Sequence, residues 1–369
     1  MSRLVFGNRN IFVSLGGTDR LGDSCYYLNI GGNHFLLDCG SGRIDGINFY
    51  PPFDVLLRTP YLQDLNQISN VFISHGHLDH VGALPEFLKL NSYANIFMTG
   101  ITWQITKLQL RKKLSAVAQD KISVVNFLQK IPINNIEVSF HQAGHIPGAM
   151  MTLFKLRGKT LLYTGDYSTF ATQLVEPVIL PKEKIDVLIL CGLHARHPYY
   201  NADDGILNRI LRRIQSALNF GKTAYCKISQ ISKGIELLTL INKFLPEVEV
   251  YIDAPQMNLV HCFEELKIPV LAVNNHPLKF PVKRGVILST FQPPYGANYE
   301  VIPCDFSLHD DFNATVEFVQ KINPKICIVV HSPSDKKFFS DFTIEQVLIN
   351  SPFSQTSFIF PKDYEAIEF

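Results

Sequence analysis

The sequence predicts an α/β protein, and three features carry that prediction. The first 200 residues alternate short apolar runs with glycine and polar turns. The second half alternates strand-like with helix-like runs. The composition, 46% hydrophobic and 18% charged over 369 residues, is that of a globular chain with ample core. These figures exclude disorder, and 22 Gly and 21 Pro are far too few for a collagen-like chain. Length sets a prior of about two domains. A net charge of +1 excludes a strongly basic whole-chain signature for nucleic acid. No apolar run approaches ~18 residues, so no transmembrane helix is expected. Asn8 and Arg9 interrupt any signal-peptide core. Seven cysteines without a Cys-x-x-Cys pair point to reduced thiols and a cytoplasmic setting.

Taken in order, Tyr26–Ile30 and His34–Asp38 form a hairpin around Gly31-Gly32, where positive φ is cheap. Val71–Ser74 is a short strand that stops at a histidine cluster. Ile101–Leu114 has helical character and carries Lys107, Arg111, Lys112 and Lys113. Strands follow at Ile136–Phe140, Met150–Leu156, Thr160–Tyr163 and Val187–Leu190. Past Pro198 the character changes. Asp204 is a good N-cap for a helix with Leu207, Leu211, Ile214 and Leu218 on one stripe and Arg209, Arg212 and Arg213 off it. A strand at Thr223–Ile228, a helix at Lys233–Leu245 and a strand at Val248–Ile252 imply a small α/β unit with parallel pairing, for which Val286–Ser289 would be the last strand. Asp311–Ile322 reads as a helix and Ile326–Val330 as a buried strand ending at His331. The last 30 or so residues offer no chemistry.

The strongest signal is Ser74-His75-Gly76-His77-Leu78-Asp79-His80. Three imidazoles and a carboxylate in six residues, straight after a strand, sit in a turn where alternate side chains converge. Neutral imidazole with carboxylate suits Zn²⁺ and related divalent metals. His145, in a glycine-flanked turn, and Asp166, just past a strand, stand where further ligands would come from. Singly each would be a turn or capping residue; only the set reads as a site.

His75-x-His77-x-Asp79-His80, followed in order by His145 and Asp166, resembles the metallo-β-lactamase fold of dinuclear metallohydrolases over residues 1–200. Asp38 matches that superfamily's first motif, where it orients the histidine loop. The resemblance implies an αββα sandwich with two divalent metal ions at one edge. It places His75, His77 and His145 on one metal, Asp79 and His80 on the second, and Asp166 as a bridge. Zinc suits these ligands best, with manganese and iron as alternatives.

Asp305-Phe306-Ser307-Leu308-His309, a helix, and the strand ending at His331 resemble the β-CASP branch of nucleases. The branch implies that His309 is a general acid near the scissile phosphate, supported by Ser307, and that His331 completes the second metal site. Lys233-Gly234-Ile235-Glu236-Leu237-Leu238 matches the branch's Gln-Glu-Leu-Leu helix only in part. Three departures stand out. Cys191 occupies the place of an acidic residue that would raise the pKa of His309, with His194 and His197 nearby read either as its substitutes or, preferably, as surface residues. Ser332-Pro333-Ser334 replaces a common Gly-Glu. The insert is about half the usual length, and no appended RNA-binding domain is expected after it.

The chain therefore divides into a metallo-β-lactamase domain at 1–201, a short β-CASP-like cap at 202–297 and a returning part at 298–369. Over 206–290 there are 11 Lys+Arg against six acids, which makes that stretch near +5 and the rest of the chain near −4. Arg209, Arg212, Arg213, Lys283 and Arg284 are its candidate phosphate contacts. The expected function is a metal-dependent phosphodiesterase, acting on single-stranded RNA through a hydroxide aligned by Asp79. The alternatives are a catalytically weak RNA-binding or scaffold protein and a small-molecule hydrolase of the same fold. A homo-oligomer is compatible with the sequence, and other protein partners are not specified by it.

Overall fold

The computed structural model describes residues 10–114, 119–198, 205–228, 231–294, 298–333, 344–349 and 355–369. Asn8, Arg9, Asp204 and Ser334, which figured in the sequence reading, lie outside the described residues. The chain divides into two units, one of residues 1–170, 177–201 and 309–369 and one of 171–176 and 202–308.

In the first unit, two seven-stranded sheets share one core. The strands of its first sheet alternate between two buried faces. Phe12, Tyr26, Leu28, Phe35 and Phe72 point into the core between the sheets. Their chain neighbours Val13, Tyr27, Leu36 and Val71 point outward, against Leu84 and Phe87 of the helix Leu84–Leu90. A period-2 pattern with both phases apolar is what a covered strand requires. The second sheet contributes Phe140, Phe154, Tyr163, Ile189 and Ile328 to the same core. Beyond this sheet, Tyr167 stacks on Phe318 of the helix Phe312–Ile322, with ring centroids 4.2 Å apart. Sheets between helical layers make this the αββα arrangement that the sequence implied.

The strands at one end of this sandwich position the site. Ile68–Phe72 pairs in parallel with Asn33–Leu37, and Val187–Cys191 lies in parallel between Lys159–Tyr163 and Ile326–Val330. The C-terminal ends of these parallel strands therefore lie together, where side chains from distant segments can converge. The histidine cluster is not wholly a turn. Leu78–Val81 is a single helical turn with His77 at its N-cap, which places Asp79 and His80 on helical backbone. The expected Ile101–Leu114 helix spans Gly100–Leu110 and tightens into a 3-10 turn, because Arg111 takes φ +45°.

The second unit has a five-stranded parallel sheet. Its last strand is Tyr299–Pro303, paired with Thr223–Lys227, and not Val286–Ser289. The unit accordingly runs to Leu308 rather than ending at residue 297. Only Ile302 of that edge strand is buried, so its sequence carries no alternation to betray it. Glu236 is buried on the helix Ile231–Phe244 and accepts hydrogen bonds from Thr172 Oγ1 (2.7 Å) and the Gln173 N–H (2.6 Å). Burial pushes its carboxyl up to about 7. Among the described residues no helix is long and apolar enough to cross a membrane. All seven cysteines are buried, and none is in a disulfide among the described residues.

Candidate metal centre

Asp38 is the first element of the site. Its φ of +57° turns the chain at the end of the Asn33–Leu37 strand and aims the carboxylate into the sandwich edge. It accepts from the Ser74 N–H (2.6 Å), Ser74 Oγ (2.7 Å), His80 Nδ1 (2.6 Å) and the Tyr163 hydroxyl. These bonds fix the ring tautomers. The Ser74 hydroxyl donates to Asp38, so its oxygen accepts from His75 Nδ1 at 3.0 Å, and His75 presents Nε2 as a lone pair. His80 turns its Nδ1 to the same carboxylate, which leaves Nε2 as the atom that faces the cluster. Two glycines permit the close approach. A Cβ on Gly40 would strike the Asp79 carbonyl, and one on Gly165 would strike Ser74.

Seven side chains converge in two groups. His75, His77, His145 and Asp166 form one, and Asp79, His80 and His331 the other, with the donor atoms of each within 4.8 Å of one another. His77 Nδ1 lies 3.0 Å from His75 Nε2 and 3.4 Å from His145 Nε2. Asp166 Oδ2 is common ground: it stands 3.7, 3.8 and 3.4 Å from Nε2 of His75, His145 and His80. Donor atoms bound tetrahedrally at about 2.0–2.1 Å lie ~3.3 Å apart, so the spacing fits a divalent cation. Two orphaned atoms bear on the same fit. His80 Nε2 and Asp166 Oδ1 are buried and make no hydrogen bond among the described residues, an expensive state unless a cation takes them up.

The electrostatics of the protein alone separate the two groups. Burial, reinforced by His80 and His77, drives the His75 imidazole well below its ordinary range, and burial with His145 takes His77 down to about 3. These rings are neutral, as ligands must be. Burial acts downward on His80 too, but Asp166 and Asp38 outweigh it and hold that ring well above its ordinary value. Against the cost of burial, His80, His331 and His309 keep Asp166 ionised.

His309 is half-buried, its ring 4.5 Å from that of His145 and its Nε2 3.8 Å from Asp166 Oδ2. Ser307, two residues earlier, belongs to the second unit. Cys191 ends its strand buried, its Sγ 3.8 Å from the Tyr163 hydroxyl, and burial with Asp166 pushes the thiol far up, so it carries no charge. His194 and His197 are half-buried rather than at the surface, because the turn after Cys191 folds back through Gly192 N–H to Val330 O and Ala195 N–H to Gly192 O. His194 is among the charges that act on His309. Arg209, Arg212 and Arg213 are exposed on the helix Ile206–Asn219, and Lys283 and Arg284 are exposed before Val286–Ser289.

Three supporting groups went unread in the sequence. Tyr163 looks like a core aromatic, and Ser24, whose Oγ is 2.9 Å from His331 Nδ1, looks like a loop serine. Gln109, whose amide donates to the Gly76 carbonyl, looks like a helix-surface residue.

Comparison with known proteins adds to this geometry. The family model described as the metallo-beta-lactamase superfamily matches residues 18–206. Cleavage and polyadenylation specificity factor subunit 3-I of Arabidopsis thaliana is 31% identical over 203 residues, covering 50% of this chain and 28% of that protein. Cleavage and polyadenylation specificity factor 73 of Drosophila melanogaster is 28% identical over 261 residues, 64% of this chain and 37% of that protein. Endoribonuclease ysh1 of Schizosaccharomyces pombe is 28% identical over 255 residues, 63% of this chain and 32% of that protein. The chain thus matches about a third of the length of these relatives. Among solved structures, a protein of unknown function from Enterococcus faecalis V583 shares the fold, with a TM-score of 0.64 at 13% identity over 98% of this chain and 100% of that one.

Proposed function

The chain belongs to the metallo-β-lactamase superfamily and to its β-CASP branch, and we propose that it is a metal-dependent hydrolase of RNA phosphodiester bonds. The observation that carries this reading is the double donor set around Asp166. The endoribonucleases among its relatives support RNA as the substrate, as does the surplus of basic residues over 206–290.

His75, His77 and His145 would hold one divalent cation and Asp79, His80 and His331 a second, with Asp166 between them. Bound there, such cations supply a water ionised near neutral pH and positive charge for the phosphoryl oxygens. Zinc suits the donors best, with manganese and iron as alternatives. Asp79, whose side chain is 26% exposed, aligns the attacking water from the open edge of the cluster. As the bond from phosphorus to the leaving oxygen breaks, His309 Nε2 gives that oxygen a proton. Burial pushes the His309 imidazole well down and Asp166 opposes this. The negative charge of a bound phosphodiester acts in the same direction as Asp166 and favours the protonated ring. Arg209, Arg212, Arg213, Lys283 and Arg284 contact backbone phosphates of single-stranded RNA without reading bases.

The test is metal content by mass spectrometry together with cleavage of 5′-labelled single-stranded RNA. Loaded wild type is expected to cut, and His77→Ala to lose both metal and cleavage. Intact RNA with fully loaded protein would favour the RNA-binding reading instead. Turnover of a chromogenic phosphodiester without nuclease activity would favour a small-molecule substrate.

A further inference from the structure

The last residues of the chain reach one ligand group. Asp363 lies in the turn before the short strand Ala366–Glu368, which pairs antiparallel with Ile11–Gly16. Its carboxylate is only 12% exposed and gathers three donors from the beginning of the chain. Thr18 Oγ1 donates to Oδ1 at 2.7 Å and Ser14 Oγ at 3.2 Å, while Arg20 Nη1 donates to Oδ2 at 2.5 Å. Arg20 is fixed from its other side by Asp23, through Nε at 3.1 Å and Nη2 at 2.7 Å. The loop from Gly17 to Ser24 is therefore clamped at Thr18 and at Arg20.

That loop touches the second ligand group at several points. Gly17 O accepts from the His331 N–H (2.7 Å) and Thr18 O from the Ser332 N–H (2.9 Å). Ser24 Oγ meets His331 Nδ1 at 2.9 Å, and the Ser24 N–H donates to the Asp79 carbonyl at 2.9 Å. Two of the three residues of the second group are thus held by one loop. His331 also has φ +51°, a conformation that needs outside support in a residue with a Cβ. The first group is anchored elsewhere, through Ser74 and Asp38.

We propose that Asp363 is a positioning residue for the second metal position: through Thr18 and Arg20 it holds the 17–24 loop in the shape that fixes His331 and Asp79. The proposal rests on the two-metal reading above. It makes the C-terminal turn a selective support for one position of the pair.

The experiment compares wild type with Asp363→Ala, Asp363→Asn, Asp363→Glu and Arg20→Gln after loading with Co²⁺ or Zn²⁺. Its readouts are metal per chain, the affinity of each position against a competing chelator, and the Co²⁺ absorption spectrum. Wild type is expected to hold two metals. Asp363→Ala and Arg20→Gln should keep the tighter one while the second weakens roughly 10–100-fold, the usual scale for an outer support. One component of the Co²⁺ spectrum should fade with it, and Asp363→Glu should restore part of the loss. Retention of both metals at wild-type affinity would overturn the proposal, and so would parallel loss of both. Should Asp363→Ala fail to fold, Asp363→Asn and Arg20→Gln carry the same readouts, since the amide still accepts from Thr18 but carries no charge for Arg20. A wild type that binds fewer than two metals would instead refute the two-metal reading itself.

Discussion

The two ligand groups of this site are built in different ways. His75, His77, His145 and Asp166 are all buried, and they come from one stretch of chain. Asp79, His80 and His331 include a carboxylate open to solvent and a histidine that arrives from far along the sequence. A sealed set releases its metal only through local opening. A set with an exposed ligand can exchange metal, water and substrate oxygens without it. On the proposed two-metal reading, the first group would hold its metal the more firmly and the second would exchange the more readily.

The largest test of that contrast is to delete one ligand from each group. His77→Ala and His331→Ala should both lower RNA cleavage ~10³-fold or more, since several kcal/mol of charge stabilisation go with a metal. Metal analysis should separate them: His331→Ala keeps the buried metal, and His77→Ala does not. Equal metal loss in the two variants would erase the distinction. Asp38→Asn is the next strongest, because Asp38 supports His75 through Ser74 and His80 directly. Chelator competition should show both positions weakened by ~10–100-fold; weakening of one alone would mean that Asp38 is not shared. Tyr163→Phe removes a single donor to Asp38 and should cost about tenfold in the same assay, the scale of one hydrogen bond to a charged group.

The smallest effects lie in the pH dependence of metal-free protein. His77 has a folded pKa of about 3 against an ordinary 6.5, so its contribution is present above 6.5 and is lost as pH falls toward 3. His80 is raised, so its contribution is full below 6.5 and is lost as pH rises through its elevated value. Between pH 7 and 5 the melting midpoint should fall less in His77→Gln than in wild type, and more in His80→Gln. Glu236 titrates in the same window with the sign of a raised carboxyl. It stabilises fully below 4.5, and that contribution is lost as pH rises to about 7. Glu236→Gln therefore supplies the background. Parallel pH profiles for the two histidine variants would show that the groups do not differ electrostatically.

Much of this site is legible in the sequence because its chemistry is local. Three imidazoles and a carboxylate crowd into His75–His80, and His145, Asp166 and His331 each stand at a strand end beside glycine or an apolar run. The sandwich is legible because its strands bury both faces, which leaves nearly continuous apolar runs. What escapes reading is whatever depends on chain contacts rather than on pattern. Tyr299–Pro303 is an edge strand with one buried residue, and Asp363 is a lone acid in a polar turn whose partners stand more than 340 positions earlier. The helical turn at Leu78–Val81 is too short for periodicity to reveal.

Three residues of the centre, Asp38, His145 and His331, share a left-handed backbone, with φ of +57°, +59° and +51°. Glycine would occupy each position at lower cost, by roughly 1–2 kcal/mol for a residue with a Cβ. A search for thermostable variants by backbone preference would therefore choose these positions early. At His145 and His331 the replacement would empty a donor position, and at Asp38 it would strip Ser74, His80 and Tyr163 of their acceptor. Backbone preference and chemistry pull apart at three identifiable residues, and backbone preference alone is the wrong guide by which to improve this protein.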